Sequence, residues 1–300
     1  MSKAVLLMAY GSPTSIDEIE AYYTHIRGGK RPSDEELNDL KRRYLAIGGG
    51  SPLKIISEAQ RAKLESKLAS EDLDYKVYLA MRHSKPFIED VIMEAYKDGI
   101  RNLLCIVLAP HYSKMSVGGY FDRVNKIISQ LEGMKVEFVS SWGNHPLFIR
   151  LWSKNILETL YGVGKDAWVI FSAHSLPERL IYEGDPYKEQ ILESCMLIAK
   201  EAKIEKWSQA FQSAGHTKEK WMGPDIIEHL DSLHEKGERK FLIAPIGFVA
   251  DNLEILYDID IECREWANRK SAQLVRCKLP NDDPLLIECL YSIIKEKLLK

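Results

Sequence analysis

The stretch SAHSLPER, residues 172–179, carries His174 off the end of the apolar run Trp168–Phe171 and into a turn closed by Pro177. A second stretch, GFVADNLEILYDIDIECRE (247–265), spaces Glu254, Asp258 and Glu262 four residues apart. If Asp251 caps a helix here, those three carboxylates form a line on one face, with Asp251 and Glu265 at its ends. Like charges at that spacing repel by roughly 0.2–0.5 kcal/mol per pair, and no Lys or Arg occurs from 251 to 263 to offset them. A solvated face whose first-turn acids suit the helix dipole accounts for Asp251 and Glu254 but poorly for Asp258 and Glu262 in mid-helix. Such a line favours cations. Imidazole nitrogen and carboxylate oxygen are suitable ligands for a borderline divalent ion such as Fe²⁺, and imidazole also accepts protons near neutral pH. A third group, Arg27, Lys30, Arg31, Lys41, Arg42 and Arg43, borders Gly48-Gly49-Gly50-Ser51-Pro52. A solvated basic face is one reading of it; the other is a loop whose backbone and hydroxyl approach an anionic ligand closely.

These residues need a scaffold, and short apolar runs alternating with amphipathic segments give an α/β pattern around a mostly parallel sheet. Strands are predicted near 4–10, 75–82, 103–110, 135–140, 168–173, 207–213, 240–248 and 273–278. Helices are predicted near 15–27, 34–46, 57–69, 87–98, 117–131, 147–161, 187–202, 224–236, 251–268 and 283–299. An internal repeat organises them. VLLMAYGSP (5–13) matches VIFSAHSLP (169–177) in kind, and IVLAP (106–110) matches FLIAP (241–245). Ala9 and Ala109 are 100 residues apart, Ala173 and Ala244 only 71, so the first half carries 29 extra residues, which fall within about 20–55. The prediction is two similar four-stranded α/β lobes, 1–145 and 146–300, with a basic helical insertion on the first. Ligands of open parallel sheets bind beyond the carboxyl ends of the strands, where Tyr10, His111, His174 and the 246–254 segment would converge in a cleft.

Composition narrows the function classes. With 41 basic and 44 acidic residues the net charge is near −3, which gives no bulk attraction to nucleic acid or to an anionic membrane. Cysteines 105, 195, 263, 277 and 289 are scattered, without C-x-x-C, and read as free thiols of a reducing cytosol. The start, MSKAVLLMAYGSP, is too short in its apolar run for a signal peptide, and no uncharged apolar stretch approaches 18 residues. A cytoplasmic protein without a transmembrane anchor is expected. YGVGKD (161–166) has Asp where a phosphate-binding loop needs Ser or Thr, and G-x-G-x-x-G, H-E-x-x-H and G-x-S-x-G are absent. Nucleotide hydrolysis, dinucleotide redox chemistry, zinc proteolysis and ordinary serine hydrolysis lose support.

Taken together, MAYGSP, YYTHIR, RYLAIGGGSPL, PFIEDVI, IVLAPHYS, SAHSLPE, GDPY, WMGPD and PIGFVADNLEILYD run end to end through the chain. In these motifs the chain resembles the ferrochelatases, most closely the soluble Gram-positive type that metallates coproporphyrin. The resemblance implies two Rossmann-like lobes, each a four-stranded parallel sheet flanked by helices, with a porphyrin cleft between them. It implies insertion of Fe²⁺ into coproporphyrin III, or into protoporphyrin IX, in haem biosynthesis, with release of two protons. By motif match His174 and Glu254 take the catalytic and metal-binding positions, Asp258 and Glu262 continue the metal line, and Tyr10 faces the metal from the other side. Arg27, Arg43, Tyr44, Ser51 and Tyr120 match positions that contact the macrocycle and its propionates. Gly28 stands where some relatives have a second basic residue, leaving one propionate contact in doubt. The C-terminal helix carries no cysteine-bearing extension, and Cys289 lies on its apolar face with Leu286, Leu290 and Ile293. The expectation is a monomer with no resident cofactor and no iron–sulfur cluster, Fe²⁺ being a substrate. Two alternatives stand beside it: a chelatase for another metal and tetrapyrrole, and a non-catalytic haem or porphyrin carrier.

Overall fold

The structure is a computed structural model that describes residues 2–215 and 217–298. In chain order the first half runs β1 (Ser2–Ala9), a 3₁₀ turn (Ile16–Glu18), α1 (Ile19–Ile26), α2 (Asp34–Ala46), α3 (Leu53–Ser70), β2 (Lys76–Met81), α4 (Ile88–Lys97), β3 (Ile100–Val107), α5 (Val117–Ile128) and β4 (Lys135–Val139). The second half runs α6 (Pro146–Val163), β5 (Trp168–His174), α7 (Arg179–Tyr182), α8 (Tyr187–Ala202), β6 (Trp207–Gln212), α9 (Ile226–Glu235), β7 (Lys240–Ala244), a π-helical segment (Ile255–Cys263), α10 (Arg264–Arg269), β8 (Gln273–Arg276) and α11 (Pro284–Leu298). All eight predicted strands form, each within a few residues of its predicted span. The last residue of the predicted 283–299 helix lies outside the described residues.

β1 and β5 are nearly continuous apolar runs because helices cover both faces of a parallel sheet. Each is central in its own sheet. The orders β2-β1-β3-β4 and β6-β5-β7-β8 are one permutation repeated, all pairs parallel. Chain direction across the sheet therefore reverses between β1 and β3, and again between β5 and β7. Those two switch points, at the carboxyl ends, are where a doubly wound sheet opens to a ligand. Residues beyond β1, β3, β5 and β7 consequently face a common space.

The largest apolar core runs from Val5, Leu7 and Leu79 through Phe148 and Trp152 to Phe171 and Leu242, and thus continues from one sheet to the other. α11 returns from the second lobe to pack on α3 of the first, where the Gln60 amide donates to the Asn281 carbonyl at 2.6 Å. A second clasp joins the lobes between the segment after β3 and the start of α8. Buried Asp185, just before α8, accepts from Ser113 Oγ (3.0 Å), Lys114 N (2.7 Å) and Tyr187 N (3.1 Å), while Gln190 Oε1 accepts from Tyr112 N (2.8 Å).

The insertion builds its own small core from Ile19, Leu37 and Tyr44, against which Leu253 of the second lobe packs. Its helix α2 starts with a reciprocal cap: Ser33 Oγ accepts from Glu36 N at 3.2 Å and Glu36 Oε2 from Ser33 N at 2.7 Å. The glycine run after α2 serves the turn. Gly48 and Gly49 have φ of +101° and +94°, and a Cβ at Gly50 would sit 2.3 Å from the Thr14 carbonyl oxygen. Of the Gly48–Pro52 loop expected to approach a ligand, only Ser51 lines the cleft.

The 251–268 segment departs most from prediction. Asn252, not Asp251, caps it, its Oδ1 accepting from Ile255 N at 3.0 Å. Asp251 instead forms an ion pair with Arg276 Nη1 (3.0 Å) and accepts from the Asn281 amide (2.7 Å). From Ile255 to Cys263 the helix is π, with i→i+5 bonding, and side chains four apart stay on one face: the fields of Glu254 and Glu262 both act on Asp258.

Candidate active site

The cleft between the two sheets has a volume of about 540 Å³ and is lined by Tyr10, Tyr44, Ser51, Tyr120, His174 and Glu254 of the predicted site, together with His111 and Gly247–Ala250. Such a volume falls in the range of small-molecule and cofactor sites. The convergence predicted from the two strand–turn repeats is what the topology delivers.

His174 is the last residue of β5 and is held twice. Its Nδ1 donates to the Ser175 carbonyl at 2.5 Å, and its own carbonyl accepts from the Tyr187 hydroxyl at 3.0 Å. Because a carbonyl only accepts, the Nδ1 bond fixes the tautomer and leaves Nε2 as the basic nitrogen. Gly247 lets the loop after β7 close on this strand end: a Cβ there would lie 2.7 Å from Ala173 Cβ. Glu254 enters from the first turn of the capped helix, where negative charge is favoured, and its field reaches Tyr10, Tyr22 and Tyr44.

The phenols are kept protonated by enclosure. Tyr10 keeps 40 % of its surface accessible to the cleft, yet desolvation and the Glu254 carboxylate push it up to about 12, against a lesser pull from Arg82. Burial raises Tyr44 and Tyr120 further. Tyr10 also stacks tilted on His83 at 4.6 Å between centroids, and His83 Nδ1 lies 3.1 Å from His25 Nδ1, an imidazole pair with room for one proton between them. His83 and His111 are both pushed down to about 3, by burial foremost, so both stand neutral.

The remaining four predicted residues stand elsewhere. Arg27 pairs with Glu36 at 2.7 Å at the surface and lies over the ring of Tyr23, which itself lines the cleft. Arg43 bonds Asp39 at 3.1 Å, rests 5.0 Å over the Tyr257 ring and comes within 3.9 Å of Asp258. Asp258 is 7 % exposed and accepts from Ser213 Oγ; desolvation raises its carboxyl to about 7. Glu262 is exposed at the surface, and its carboxyl is raised foremost by partial desolvation. Neither lines the cavity. Among the described residues no three His, Cys, Asp or Glu side chains come together as a metal site; of the expected metal line, His174, Glu254 and Tyr10 reach the cleft. Asp258 and Glu262 continue from Glu254 along the helix, away from the cleft: Asp258 lies against Ser213 and Arg43 and feels the charges of Glu254 and Glu262 on either side.

Sequence reading missed Arg82, His83, Tyr22, Tyr187 and Trp221, all of which line the cavity. A signal for the first two existed: Arg82-His83 comes directly after β2, as His111 comes a few residues after β3.

A family model described as ferrochelatase matches residues 2–298. The chain belongs to the ferrochelatase family. Curated members of the family include the coproporphyrin III ferrochelatase of Geobacillus thermodenitrificans, 41 % identical over 304 residues, covering 99 % of this chain and 96 % of the relative. That of Halalkalibacterium halodurans is 44 % identical over 299 residues, covering 98 % and 96 %. Among solved structures, the sirohydrochlorin chelatase SirB from Bacillus subtilis subspecies spizizenii with cobalt superposes with a TM-score of 0.62 at 11 % identity over 99 % of this chain and 95 % of that one. SirB with Fe³⁺ gives 0.60 at 13 %, covering 99 % and 95 %. At that identity the likeness shows the chelatase fold alone. No helix of the described residues is long and apolar enough to cross a membrane.

Proposed function

We propose that this ferrochelatase-family chain is a lyase that inserts Fe²⁺ into coproporphyrin III within haem biosynthesis, releasing two protons. One observation carries the reading: His174, with its tautomer fixed, and Glu254 are brought by the second lobe to the same aromatic-walled cleft that Tyr10, Tyr44 and Tyr120 reach from the first. A free-base macrocycle must lose two pyrrole protons as the metal enters. His174 Nε2 accepts one, and the Glu254 carboxylate supplies a second basic group and an oxygen ligand for the incoming ion. Walls that bind the ring in a puckered form expose the nitrogen lone pairs, using binding energy from the rest of the ring to deform it.

The full-length similarity to coproporphyrin III ferrochelatases supports the four-propionate substrate over protoporphyrin IX. Fe²⁺ is a substrate in this scheme, and no resident cofactor takes part. Both cleft walls come from one chain, which supports a monomer, and five buried, unpaired cysteines support a reducing compartment such as the cytoplasm.

The test is anaerobic: Fe²⁺ with coproporphyrin III or protoporphyrin IX, following loss of free-base fluorescence, with His174→Ala beside the unaltered protein. Loss of a general base lowers turnover by about 10²–10⁴-fold, while porphyrin binding and folding persist. Undiminished turnover in His174→Ala would remove His174 from the chemistry, and binding of both porphyrins without metallation by the unaltered protein would leave a carrier.

A further inference from the structure

Among the described residues the cleft wall contains one Lys or Arg side chain, and no carboxylate pairs with it. That side chain is Arg82, the first residue beyond β2. Its guanidinium lies 5.1 Å over the Tyr120 ring. Nη1 makes only long bonds to the carbonyls of Met115 (3.4 Å) and Ser116 (3.3 Å), and the buried Nε donates to nothing. The neighbouring arginines differ: Arg27 holds Glu36 at 2.7 Å, Arg43 holds Asp39 at 3.1 Å and Arg123 reaches Glu89 at 3.7 Å.

A guanidinium offers five N–H donors in a planar fork that matches a carboxylate, and an enclosed donor left unpaired is destabilising. The site is shaped around this side chain. A Cβ at Gly119 would meet Arg82 Nη2 at 2.5 Å, so the residue at 119 is confined to glycine while Arg82 keeps its place. The same corner holds the start of α5, whose first turn carries no acidic residue and whose N-cap Ser116 makes no side-chain bond. The positive end of a twelve-residue helix thus adds to the guanidinium charge.

We infer that Arg82 is a carboxylate anchor inside the cleft, taking one propionate of the tetrapyrrole on the inner wall beside Tyr120. This rests on the porphyrin reading above. It also gives the cleft a means of counting carboxylates. Coproporphyrin III carries a propionate on every pyrrole ring and presents one to this wall when others lie at the mouth. Mesoporphyrin IX carries two, on adjacent rings, and leaves Arg82 unpaired when both lie at the mouth.

The experiment measures equilibrium binding of both porphyrins by fluorescence to the unaltered protein, Arg82→Met and Arg82→Lys, at low and high salt, with thermal unfolding as the folding control. Removing a charge-assisted bond weakens coproporphyrin binding by about tenfold to a hundredfold. Mesoporphyrin binding changes by less than about threefold, Arg82→Lys recovers part of the loss, and Arg82→Met flattens the salt dependence. Equal losses for both porphyrins would make Arg82 a packing residue of the wall and overturn the inference, as would unchanged coproporphyrin affinity in Arg82→Met. Should Arg82→Met fail to fold, the two porphyrins measured on Arg82→Lys decide the matter. If the unaltered protein binds neither porphyrin, the functional reading itself fails and the anchor with it.

Discussion

Replacing Asp185 by Asn changes only the charge and one donor–acceptor assignment, at the point where the two lobes are clasped. Both carboxylate oxygens of Asp185 accept: Oδ1 from Tyr187 N at 3.1 Å, and Oδ2 from Ser113 Oγ at 3.0 Å and Lys114 N at 2.7 Å. An Asn side chain must turn its amide nitrogen toward one of these sets. The cheaper choice sets it against Tyr187 N–H, leaving buried donors unpaired at about 1–3 kcal/mol. The other two bonds pass from charge-assisted to neutral, about 1 kcal/mol each. A neutral amide is easier to bury than a carboxylate, which offsets part of this. The net expectation is a loss of about 2–4 kcal/mol. Guanidinium denaturation of Asp185→Asn and the unaltered protein, at constant m-value, measures it. A second effect follows because Tyr187, whose backbone Asp185 holds, also holds the His174 carbonyl through its hydroxyl. Turnover is therefore expected to fall more than porphyrin affinity. A stability within about 0.5 kcal/mol of the unaltered protein, the range of an uninvolved surface site, would refute the clasp.

Two further outcomes are expected. Burial holds the Asp258 carboxyl at about 7, above its ordinary 3.8, so below about pH 4 both folded and unfolded states keep the proton. Between there and pH 7 the unfolded chain ionises first and the folded protein loses stability, reaching the full penalty above pH 7. Asp258→Asn escapes this loss, so its stability advantage widens from pH 4 to 7 and then levels off, by an amount on the order of several kcal/mol; a pH-independent difference in denaturation midpoints would contradict the assignment. Gly247→Ala places a Cβ 2.7 Å from Ala173 Cβ and 3.0 Å from Ala173 Cα, so the strand end bearing His174 must shift. Overpacking of this kind destabilises by about 1–3 kcal/mol, and both melting temperature and metallation rate are expected to drop; an unchanged rate would show that the loop, not β5, gives way.

The eight strands and the lobe repeat were legible in the sequence because a strand buried on both faces has to be apolar throughout, and because the matched strand–turn units end in the same kind of turn. Tyr10, His111 and His174 could be placed together for the same reason: parallel strands at a switch point point their carboxyl ends at one space. Other features are relations between distant segments. A regular i, i+4 pattern cannot announce that the segment is π-helical, since hydrogen-bond register within a helix is settled by what its side chains pack against. A charge run does not show that Arg27 and Arg43 already hold Glu36 and Asp39, nor does a single Arg after β2 show that it faces the cleft without such a partner. Sequence determined which chemistry the chain carries and at which strand ends it emerges, because strand patterning is local. Only the tertiary structure decided which charges remain free to meet a ligand, because pairing depends on contacts between residues far apart in the chain.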